Sequence, residues 1–127
     1  MNREIKFRAR AIQDGQWIVG DLIHKRHNGD DEVIIQEPNG CGTDCDIRTV
    51  GEFAGQKDKN GREIFEGDII THGDRRILYV VVWQPLTGFV AKQIGAYSYA
   101  GLSYWQSVSE VIGNIHENPE LIEEGRR

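Results

Sequence analysis

Cys41 and Cys45 stand with three residues between them, and His24 and His27 precede them with two residues between. All four are usual zinc ligands. A Cys-x3-Cys spacing without a second cysteine pair departs from a zinc knuckle, however. Two unconnected thiols in a glycine-rich loop is the preferred reading, and no metal is expected. Glu66 and Asp68 lie two residues apart, a spacing that on a strand puts both carboxylates on one face, where they could divide acid–base work. No neighbouring His, Lys or oxyanion donor is implied, and Asp68 suits a turn, so no catalytic residue is assigned. His72 and His116 fall near strand ends and read as surface or packing histidines. The chain lacks a Walker loop, a dinucleotide fingerprint, a His-Glu-x-x-His motif and a nucleophile elbow. No cofactor is expected.

Two further groups suit binding. Lys6, Arg8 and Arg10 share one face of an alternating segment, with Lys25 and Arg26 as further cations, and such a stripe could contact phosphate. A solvated strand face accounts for the same pattern and is preferred. The stretch 95–105 holds Tyr97, Tyr99, Tyr104 and Trp105 among Gly, Ser and Ala. Tyr and Trp anchor interfaces at little rotamer cost, and Ser and Gly let the backbone adapt. These four aromatics are the candidate partner-binding residues, unless they complete a core.

The elements that must carry these residues read as strands and turns. Ile5, Phe7, Ala9 and Ala11 alternate with Lys6, Arg8 and Arg10, the period of a strand with one buried face. Asp14-Gly15 and Asn28-Gly29 suit hairpin turns, placing strands at 17–24 and 32–36. Residues 38–44 read as a loop, 47–53 as a strand and 55–62 as a polar loop. Strands follow at 69–72, 76–83, 89–94 and 108–115, while 95–106 is ambiguous. Asn118-Pro119-Glu120 starts a short helix over 119–124, with Asn118 as its cap. The expected fold is mainly β: N-terminal β-hairpins over 1–52, packed on a small SH3-like barrel over 53–127 that ends in the helix, all within one domain.

Composition narrows the function classes. The 127 residues carry 15 basic and 20 acidic side chains, a net charge of -5. Nucleic-acid binders usually present a basic field, so this balance disfavours that partner, leaving it as the alternative to a protein partner or self-association. The longest apolar runs are too short to cross a bilayer, and the opening residues lack the apolar stretch of a secretory signal. A cytoplasmic protein is expected.

Two blocks carry a family resemblance. Phe53-Ala54-Gly55-Gln56-Lys57-Asp58-Lys59-Asn60-Gly61-Arg62-Glu63-Ile64-Phe65-Glu66-Gly67-Asp68-Ile69-Ile70 is similar to a central pattern of the YopX family. Val111-Ile112-Gly113-Asn114-Ile115-His116-Glu117-Asn118-Pro119-Glu120-Leu121 resembles that family's closing segment, where Tyr often replaces His116. The opening Arg3-Glu4-Ile5-Lys6-Phe7-Arg8-Ala9 also resembles it, with Arg10 where an aromatic commonly stands. The resemblance implies a phage or prophage origin and an SH3-like barrel in the later half. It implies no catalytic residues. The glycines and aspartates of the first block read as turn formers.

Overall fold

A computed structural model describes residues 4–103 and 106–126. The chain is mainly β, with two antiparallel sheets and one short C-terminal helix. It divides into two compact units, Met1–Phe53 and Ala54–Arg127.

In the first unit, β1 (Phe7–Arg10), β2 (Trp17–His27), β3 (Asp30–Gln36) and β4 (Gly42–Cys45) form successive antiparallel pairs. The β2–β3 hairpin turns on two residues, Asn28 (φ 54°) and Gly29 (φ 84°). Positive φ at both positions makes a turn whose twist suits the flanking strands, and Asn-Gly adopts it readily. Val33 and Ile35 alternate on one face of β3, where they meet Ala9, Cys45 and the half-buried Phe7, Ile18 and Leu22. Residues 38–44, expected as a loop, contribute β4. The expected strand at 47–53 begins instead as a 3-10 turn, Ile47–Thr49, because the Asp46 side chain accepts from the Arg48 N–H and caps it. β5 (Gly51–Lys57) follows and pairs with β1 through Gly51 and Glu52. Its last residues run into the second unit, and the sheet order is β4-β3-β2-β1-β5-β6, with β6 at Glu63–Phe65.

In the second unit, β7 (Asp68–Thr71), β8 (Leu78–Gln84), β9 (Gly88–Gln93) and β10 (Tyr99–Gly101) form an antiparallel meander, and β11 (Glu110–Asn114) returns beside β7. This five-stranded sheet carries a buried cluster on each face. Ile70, Val81, Ala91 and Val111 join Ala54, Ile64 and Leu102 in one cluster. Ile69, Leu78 and Ile94 join Val80, Ile112, Ile115 and the helix residues Leu121 and Ile122 in another. A register shift between Val111 and Gly113 leaves Ile112 as the extra residue, while Val111 and Ile112 enter the clusters on opposite faces, as successive strand residues do. The sheet runs β10-β9-β8-β7-β11, and among the described residues β10 does not pair with β11. A barrel closes only when its end strands pair. The expected SH3-like barrel is therefore not closed among the described residues, and β6 belongs to the six-stranded sheet.

The helix α1 (Pro119–Gly125) lies where Asn118-Pro119 places it. Asn118 makes no side-chain cap bond; its Oδ1 accepts from the Asn114 N–H at 3.1 Å instead. The C-terminal end of α1 meets Gly95, where φ is +85° and an added Cβ would fall 2.7 Å from the Gly125 carbonyl oxygen.

Candidate partner-binding surface

The β9–β10 connection is a hairpin in which the Gln93 N–H donates to the Ser98 carbonyl at 2.8 Å. Its loop carries Tyr97 at the corner, 99% exposed, and β10 opens with Tyr99, 50% exposed. Tyr99 stands directly opposite Lys92 on β9, and Lys92 opposite Val80 on β8, so all three share a sheet face. That face is covered in part by α1. Beside the helix it leaves a cleft of about 460 Å³ lined by Val80, Val82, Lys92, Ile94, Tyr97, Ile122 and Arg126, among others. Its floor is aliphatic. Both charged residues lining it among the described residues are cations.

Tyr104 and Trp105, the other two candidate anchors, lie outside the described residues. Leu102, in the same stretch, is buried in the core. The tyrosine segment therefore divides, with Leu102 serving the core and Tyr97 and Tyr99 facing solvent. Sequence reading missed Lys92, Arg126, Val80 and Val82 as neighbours of Tyr97, because only the strand register and the docking of α1 bring them together. It also missed Trp83, half exposed and edge-on to Phe89 at 4.9 Å between ring centres.

The cationic stripe takes a different form from the expected solvated face. The Lys6 ammonium sits over the Phe53 ring at 4.9 Å, and the Arg8 and Arg10 guanidiniums approach the Trp17 ring at 4.6 and 6.0 Å. Arg8 is buried, and the Arg10 Nε donates to the Gly15 carbonyl at 3.1 Å. A planar, weakly hydrated guanidinium stacks well on an aromatic face. Alternation alone assigned these charges to water; the rings of Trp17 and Phe53 cover them instead.

The residues considered for chemistry are spread over both units. Asp68 is fully buried, and its Oδ2 accepts from the Phe65 N–H at 2.8 Å. Glu66 lies in the turn before β7, with Gly67 at φ 92°, so the two-apart rule for strands does not join these carboxylates. His24 and His27 are exposed and lie near Asp31 and Glu32, at 3.8 and 3.6 Å. Cys41 is exposed. Cys45 is buried and its thiol donates to the Thr43 carbonyl, with burial pushing its pKa up. Among the described residues no cluster of three or more His, Cys, Asp and Glu side chains is placed to hold a metal ion. His72 stacks on Tyr79 at 4.4 Å, and burial pushes its pKa below the ordinary histidine value.

Asp58 shows most clearly what the glycine- and aspartate-rich block does. It is buried; Oδ1 accepts from the Asn60 and Arg62 N–H groups, and Oδ2 from the Val111 N–H, all at 2.9 Å. The Lys59 N–H donates to the Ser109 carbonyl, and the Ile115 N–H to the Gly67 carbonyl. Asn114 repeats the device, its Oδ1 accepting from the His116 and Glu117 N–H groups. Two blocks more than forty positions apart in sequence are thus one bonded unit. No helix among the described residues is long and apolar enough to cross a membrane.

The profile of the YopX protein family matches residues 6–123. The structure is similar to the crystal structure of protein EF1440 from Enterococcus faecalis, with a TM-score of 0.59 and 25% sequence identity over 95% of this chain and 99% of that one. No curated protein matches.

Proposed function

We propose, from the premise that this chain belongs to the YopX family, that it is a non-enzymatic phage or prophage protein that binds another protein, or a second copy of itself, through the surface around Tyr97. The observation that carries this reading is the 99% exposure of Tyr97 beside an aliphatic cleft. Covering a large side chain such as this one is worth roughly 1.5–3 kcal/mol before ordering costs. Leaving such a ring in water beside aliphatic side chains gains nothing for the fold, whereas covering both on association removes that surface from water. The non-enzymatic part of the reading is supported by the buried aspartates, Asp58 and Asp68, whose carboxylates accept from backbone N–H groups.

The test compares the wild-type chain with a Tyr97→Ala, Tyr99→Ala double variant of unchanged melting temperature. Sedimentation measures self-association, and capture from a bacterial lysate measures partners. The reading expects at least one association to weaken about thirtyfold, the loss of about 2 kcal/mol typical of an interface anchor. Retention of every association by the variant would refute it.

A further inference from the structure

We infer that the cleft between α1 and β8–β9 receives an acidic peptide segment of a partner protein, with one apolar side chain seated over Val80 and Val82 and flanking carboxylates held by Lys92 and Arg126. This rests on the reading above and names the partner's chemistry. The chain carries five more acidic than basic side chains, so its surface as a whole repels an acidic partner. The cleft is a local exception, because among the described residues its charged lining is Lys92 and Arg126. Lys92 is exposed and forms no ion pair among the described residues. Arg126 has only a loose pair with Glu123, at 3.9 Å between exposed side chains. Such a surface pair holds the guanidinium weakly, and an incoming carboxylate can replace it without leaving a buried charge behind. Desolvated under a bound segment, the same two cations would gain more from carboxylates than they do in water.

The apolar part follows from the floor. Val80, Val82 and Ile122 are only half buried, and a volume of about 460 Å³ accommodates one large side chain with adjoining backbone. The cleft is open to solvent, which suits a segment of chain running past it more than a small molecule needing enclosure. Tyr97 would then close over the seated segment.

The experiment selects a random dodecapeptide library, displayed on ribosomes, against the full chain, and titrates the enriched peptides by fluorescence anisotropy. The expected peptides carry Asp or Glu around one Leu, Phe or Trp. Their affinity should fall with added salt and drop at least about tenfold in the Lys92→Glu, Arg126→Glu variant, since reversed charges repel the segment they should hold. A second variant, Val82→Asp, should lose the same peptides, and melting temperatures show that both variants fold. The inference is overturned by no enrichment, by enriched peptides without carboxylates, or by equal binding to the charge-reversed variant. It is also overturned by a wild-type dimer that charge reversal dissolves, since the occupant is then a second copy. Tyr97-dependent association without acidic peptides sinks this inference and leaves the broader reading standing. Acidic peptides that bind the Tyr97→Ala, Tyr99→Ala variant undiminished support the cleft and sink the role of the tyrosines.

Discussion

Replacing Asp58 with Ala removes one carboxylate that satisfies three backbone N–H groups. The consequences differ among the three. The bond to Val111 is buried, and stranding a buried N–H costs about 1–3 kcal/mol. Asn60 and Arg62 are exposed residues, so water can take up part of their loss, at roughly 0.5–1.5 kcal/mol each. Together the change costs about 4 kcal/mol, a large share of the 5–15 kcal/mol typical of a domain. Asp58→Asn separates the contributions. Its amide oxygen can still accept from Asn60 and Arg62, but its NH₂ then faces the Val111 N–H, so only the buried bond is lost, at about 1–3 kcal/mol. Urea unfolding should rank wild type above Asn and Asn above Ala. Amide hydrogen exchange should show Val111 opening in both variants, with Asn60 and Arg62 opening further in Ala alone. A cost below about 1 kcal/mol for Asp58→Ala, with Val111 still protected, would refute the structural assignment of this block.

Other perturbations follow from the same geometry. An added Cβ at Gly20 would fall 2.1 Å from the Gln36 carbonyl oxygen, so Gly20→Ala should destabilise by at least about 2–3 kcal/mol in thermal or urea unfolding. Gly95→Ala meets both a positive φ and the Gly125 carbonyl; limited proteolysis should cleave the region of α1 in this variant sooner than in the wild type. His72 has a folded-state pKa below its unfolded value, so the unfolded chain binds more protons between the two. The stabilising contribution of the neutral ring is full above the unfolded value of about 6.5 and is lost as pH falls through the folded value. Melting curves of His72→Phe should lack that share of the acid sensitivity. A thiol reagent should modify Cys41 rapidly and Cys45 only on unfolding, because one is exposed and the other buried with a raised pKa.

Local chemistry was legible in the sequence where it acts alone. Asn28-Gly29 takes positive φ at both residues as a two-residue hairpin demands, and Pro119 opens the short helix, which runs one residue past the expected end to Gly125. Where a competing bond is available, local reading fails. Asn118 was expected to cap that helix, yet its side-chain oxygen is drawn back to the Asn114 N–H. Residues 55–57, polar enough to read as loop, extend β5, since a strand needs backbone partners more than apolar side chains. Arg8 was assigned to water by its charge, and its burial against Trp17 depends on a ring that alternation does not reveal. The same limit governs the candidate site. The character of Tyr97 was plain from its neighbours, but Lys92 and Arg126 reach its cleft from 5 residues before it and 29 after. Only the hairpin register and the closeness of Gly95 to Gly125 bring them there.

The central claim is that the surface at Tyr97 meets a protein, while the aspartates and glycines of the chain hold its turns. Placing a photoreactive benzoylphenylalanine at Tyr97, and separately at Ile12, which is also exposed, and irradiating cells that produce the protein tests it most directly. The account predicts a discrete covalent adduct with a protein from position 97, absent when Val82→Asp is added and absent from position 12. Equal labelling from both positions, or no adduct from position 97, would contradict it.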